Sequence, residues 1–84
     1  MKIKIFTGRD APREMPISEG AKVRDVIAPF YDVQDGQVYQ HVEEGSDVLP
    51  RKMNVAIDGE AATPDTVLQN GQFLTILPTG TKGG

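Results

Sequence analysis

The chain has 84 residues, 38% of them hydrophobic, enough for one small domain and one modest core. With no cysteine and one histidine it holds no disulfide framework, zinc ribbon, thiol nucleophile or two-histidine metal site. Nine basic residues against twelve acidic ones, net −3, argue against a nucleic-acid binder. No apolar run reaches the length of a membrane span, and the start is too short and too alternating for a signal peptide. These features predict a cytoplasmic domain, a monomer when free.

In chain order, Lys2 to Thr7 alternates, with Ile3 and Ile5 on one face and Lys2, Lys4 and Phe6 on the other. That period predicts a half-buried strand. Gly8 to Pro12 is a turn by composition. Arg13 to Ser18 alternates again through Met15 and Ile17, and Pro16, which lacks a ladder donor, makes it an edge strand. From Lys22 the period lengthens. Val23, Val26, Ile27, Phe30 and Tyr31 form the apolar stripe of an amphipathic helix, entered through a turn at Ser18 or Glu19-Gly20. Pro29 ends or kinks that helix near Ala28, with Phe30 still reaching the core.

Residues 32–52 are the hardest to read. Asp35-Gly36 signals a turn, and a short helix is expected around Gln37–Glu43. Met53, Val55 and Ile57 then define a strand that ends at the Asp58-Gly59 turn, with a very short partner strand over Glu60–Thr63. After the Asn70-Gly71 turn, Gln72 to Leu77 forms the last strand. Leu74 and Ile76 face one side of it, and Phe73, Thr75 and Leu77 the other. Residues 1–78 form the domain, and 79–84 form a polar, glycine-bearing tail.

This order predicts an α+β fold, a mixed sheet with one main helix packed on one face. If the first and last strands are adjacent and parallel, the fold is a β-grasp, the ubiquitin-like roll. The expected core is Ile3, Ile5, Met15, Ile17, Val23, Val26, Ile27, Phe30, Val55, Ile57, Leu68, Leu74 and Ile76.

The closing Gly83-Gly84 reads either as a flexible end or as a terminus built to enter a narrow channel. Residues without Cβ suit such a passage. Three segments together decide between these: Met53 to Glu60, then Leu68 to Pro78 with its Asn70-Gly71 turn, then the diglycine. The combination resembles the bacterial sulfur-carrier β-grasp family, which includes the small subunit of molybdopterin synthase, the thiamine-pathway sulfur carrier and the carrier of a cysteine-forming pathway. The resemblance is sharp over the last third of the chain and architectural before it. Two features depart from the family pattern: Gln72 stands where Asp is common, and the stretch Thr79-Gly80-Thr81-Lys82 is longer and more polar than usual.

The resemblance implies a carrier that is not itself an enzyme. An adenylating enzyme of the ubiquitin-activating type would activate the Gly84 carboxylate, using its own ATP and magnesium, and a sulfur source would convert it to a thiocarboxylate. A second, sulfur-accepting enzyme would take the sulfur. No cofactor or metal resides in the chain. Gly83 and Lys82 would thread the partner's channel, and Phe73, Leu77, Pro78 and Phe6 would form the docking surface. Two rivals stand beside this reading: a ubiquitin-like modifier joined to lysines through Gly84, and a β-grasp binding module with an inert tail. Asp32, Asp35, Glu43, Glu44 and Asp47 lack the spacing of a calcium loop and read as a solvated acidic surface. His41 reads as an ordinary histidine at or near the surface. Gly80 to Gly84 is no phosphate loop, since no helix follows it.

Overall fold

The computed structural model describes residues 1–8 and 10–79. Its elements are β1 (Lys2–Phe6), β2 (Arg13–Pro16), α1 (Val23–Ile27), β3 (Tyr31–Gln34), β4 (Gln37–Gln40), β5 (Lys52–Ile57), β6 (Glu60–Ala61) and β7 (Phe73–Pro78). The strands form one mixed sheet in the order β2-β1-β7-β5-β4-β3, curled into a half-barrel, with β6 paired to β5 off this path. The first and last strands run side by side and parallel, Lys4 beside Phe73, Ile5 beside Leu74 and Phe6 beside Thr75. The other strand pairs are antiparallel.

Turn chemistry sets these registers. Asp58 and Gly59 both adopt positive φ, 52° and 86°, and join Ile57 to Glu60 as a two-residue hairpin. Asp35 and Gly36, at 50° and 74°, do the same between Gln34 and Gln37. The helix expected over Gln37–Glu43 is therefore absent, and β4 stands in its place. The left-handed pair turns the chain back on itself, and Gln37-Val38-Tyr39-Gln40 then alternates so that Val38 is buried. The turn from Asn70 to Gly71 is sewn to β1: the Lys2 N–H donates to Asn70 Oδ1 and the Gly71 N–H to the Lys2 carbonyl.

The helix is shorter than the apolar stripe suggests, and the molecule is mostly β. At the start of α1 the Asp25 carboxylate accepts from the Lys22 N–H at 2.9 Å, and the Ala21 N–H closes a turn onto the Ser18 carbonyl. At its end Pro29 prevents another turn, and the Phe30 N–H folds back onto the Ile27 carbonyl. Five residues cannot cover a sheet face, so the expected main helix shrinks to a short plug. Phe30 leaves the core and is 58% exposed, a correction to the expected core. Tyr31, placed by its spacing on the helical stripe, opens β3 instead.

The core lies between α1 and the inner face of the sheet. Val23 and Ile27 are fully buried from the helix, and Ile3, Leu74, Ile76 and Leu68 meet them. Val38 and Met53 join this core although the expected set omits them, while Met15 and Ile17 pack against it only partly buried. No helix among the described residues is long and apolar enough to cross a membrane.

Candidate docking surface and tail exit

The strand that carries the chain toward its end presents two different faces. Leu74 and Ile76 are fully buried on the inner side, so alternation sends Phe73, Thr75 and Leu77 to the outer side. The parallel register sets Phe6 beside Thr75, which makes Phe6 and Phe73 diagonal neighbours. Their ring centroids lie 6.5 Å apart with planes inclined by 43°, a tilted aromatic contact that leaves both half-buried. On the other flank Ala56 opposes Thr75 and Asn54 opposes Leu77. Phe6, Phe73, Thr75, Ala56 and Leu77 thus form a small apolar field on the face away from α1, with Leu77 its most exposed member at 39%.

Leu77 is held in place from below. Gly8 follows β1 with φ +89°, and a Cβ there would stand 2.9 Å from Leu77 Cδ2. The leucine therefore lies across bare backbone, which only glycine leaves open. One residue on, Pro78 pairs with Met53, and Thr79 binds the start of β5: its N–H and its hydroxyl each donate to the Lys52 carbonyl at 3.0 Å. The chain is thus anchored to the sheet through Thr79. Lys82, Gly83 and Gly84 lie outside the described residues.

Of the four expected docking residues, Phe6, Phe73 and Leu77 come together on the outer face. Pro78 sits at the same strand end but turns inward, where it lines an open groove of about 480 Å³. Ile5, Met15 and Met53 also line it, and Phe30, Arg13 and Arg51 stand among its walls. This groove exists because α1 stops at Ile27 and leaves that end of the half-barrel uncovered. Pro29 was the signal in the sequence, but a proline says where a helix stops and not what the missing turns expose.

His41, also in the groove wall, has its Nδ1 3.5 Å from Asp32 Oδ1, and both side chains are exposed. Asp35, Glu43, Glu44 and Asp47 are exposed as well. Among the described residues no three His, Asp or Glu side chains gather where they could hold a metal ion.

No protein-family model, curated protein or solved structure matches this chain.

Proposed function

We propose that the chain is a β-grasp sulfur carrier whose reacting group is the Gly84 carboxylate. The parallel pairing of β1 and β7 carries this reading. It joins the two ends of the sequence at the centre of the sheet, the arrangement that the family resemblance requires. It also brings the chain to Pro78 and Thr79 at the end of β7, next to Leu77 of the outer field. A partner gripping that field is positioned to receive whatever follows Thr79. The hairpin of β3 and β4 and the short α1 are features of this chain's own version of the roll.

The chemistry belongs to the partners. The Gly84 carboxylate attacks the α-phosphorus of ATP and pyrophosphate leaves. The outer sulfur of a partner's persulfide then displaces AMP to give an acyl disulfide. A second thiol of the partner attacks the inner sulfur, closing a disulfide on the partner and releasing the Gly84 thiocarboxylate. The carrier contributes the carboxylate and the surface that presents it. A carrier of this kind needs no thiol of its own, because the sulfur rides on the terminal carboxylate, and the chain has no cysteine.

The test is mass spectrometry of the intact chain purified from its native host. A sulfur carrier shows a species in which one sulfur replaces one oxygen at Gly84. A modifier instead leaves diglycine remnants on lysines of other proteins. If the chain's last residue is not Gly84, or if no Gly84 acyl-adenylate forms on incubation with adenylating enzyme and ATP, the activation reading fails.

A further inference from the structure

The groove beside Pro78 has a counterpart on the same molecule. Between β4 and β5 the chain makes a closed loop whose neck is fastened by the Gln40 N–H donating to the Arg51 carbonyl at 2.7 Å. Inside the loop the Ser46 N–H donates to the Glu43 carbonyl and the Val48 N–H to Ser46 Oγ, so its tip has internal support. That tip presents Val48, 66% exposed, and Leu49, 85% exposed, beside the carboxylates of Glu43, Glu44 and Asp47. Two adjacent and almost bare aliphatic side chains on a supported loop have no role in the core of one chain.

The groove offers the complementary set. Ile5, Met15 and Met53 give it an apolar lining, and Arg13 and Arg51 line it as well. Neither arginine forms an ion pair among the described residues, and neither do Glu43, Glu44 or Asp47. Among the described residues Asp10 is the one carboxylate on the groove wall, and His41 stands near Asp32. An acidic, apolar knob and a basic, apolar hole therefore sit side by side, since the two ends of the loop, His41 and Arg51, themselves line the groove. The knob does not fill its own hole, since neither Val48 nor Leu49 lines the groove, and a two-fold axis between two copies satisfies both contacts at once.

We propose that this groove is an interface between two copies of the chain, each seating Val48-Leu49 of the other, with Glu43, Glu44 and Asp47 meeting Arg13 and Arg51. The inference is independent of the sulfur-carrier reading. Where both hold, the paired form crowds Pro78 and so competes with partners for the exit of the chain.

Sedimentation velocity over a micromolar to millimolar series, at ionic strength of about 0.15 M, tests this. The mass is expected to rise from the 9.1 kDa of one chain toward twice that value. Leu49→Ser is expected to raise the concentration needed for pairing about tenfold or more, the equivalent of removing one anchor. A groove variant, Arg13→Glu with Arg51→Glu, and a loop variant, Glu43→Lys, Glu44→Lys and Asp47→Lys, are each expected to stay single, because each then meets like charge. Mixed in equal amounts, they are expected to pair. All these side chains are exposed, and circular dichroism checks that each variant is folded. The proposal is overturned if the natural chain stays at 9.1 kDa throughout, or if the mixture stays single. It is equally overturned if Leu49→Ser leaves either association unchanged, since that result assigns it to bulk charge attraction.

Discussion

Gly8 and Leu77 share one small volume at the end of the outer face, and neither can be understood from its own neighbours in sequence. Alanine at position 8 meets two costs together: a positive φ of 89° and a Cβ contact at 2.9 Å. Gly8→Ala is expected to lower stability by about 1–2 kcal/mol, measured from the urea midpoint. In a Leu77→Ala background the penalty is expected to shrink but not vanish, because the backbone strain remains when the contact is gone. Asp58 is a second such residue. It accepts the left-handed turn at φ 52°, and its Oδ1 also takes the Phe73 N–H at 3.0 Å. Asp58→Ala is therefore expected to cost about 1–2 kcal/mol, and Asp58→Asn much less, because asparagine keeps both the acceptor and the turn preference. The turn at Asp58-Gly59 was plain in the sequence. The bond from its side chain to β7 was not, since it joins residues 15 apart through tertiary pairing.

At the scale of elements, the informative pair is Phe30 and Val38. Spacing placed Phe30 on the buried stripe of a helix and gave Val38 no strand at all. The structure reverses them, with Phe30 58% exposed and Val38 2% exposed. Val38→Ala is accordingly expected to destabilise by about 2–3 kcal/mol, a buried aliphatic truncation. Phe30→Ala should stay within about 1 kcal/mol, since a surface change forfeits little burial. Equilibrium denaturation of the two variants side by side checks the order, and a larger loss for Phe30 would contradict the architecture. The strands that alternate cleanly, β1, β5 and β7, were legible because each buries one face and period 2 is then enforced residue by residue. β3 and β4 were not legible. They are four residues each, and β4 meets β5 at only two paired positions, so little alternation accumulates to be read.

For the whole molecule, β7 divides a buried face from an outer one. Leu74 and Ile76 are fully buried between the sheet and α1, and Leu74→Ala is expected to cost about 3–4 kcal/mol, enough to threaten folding in so small a domain. Removal of Gly83-Gly84 is expected to leave the urea midpoint unchanged, because two terminal glycines bring no side chain to a core. The same deletion should abolish adenylation by an activating enzyme if the carrier reading holds, and pyrophosphate release reports this directly. A variant that keeps its fold and its function without the diglycine would return the chain to the class of plain binding modules.

By itself the sequence determined what is written locally: the alternating strands, the two Asp-Gly turns, the end of the helix before Pro29 and the outward set Phe73, Thr75 and Leu77. Each follows from one residue's backbone preference or from a repeat of two. The tertiary structure decided what depends on distant segments meeting: the parallel join of β1 to β7, the seat of Leu77 on Gly8, and the groove left where a short helix fails to cover its sheet. Whether a surface is covered is a property of two elements and the distance between them, and no single stretch of sequence carries that information.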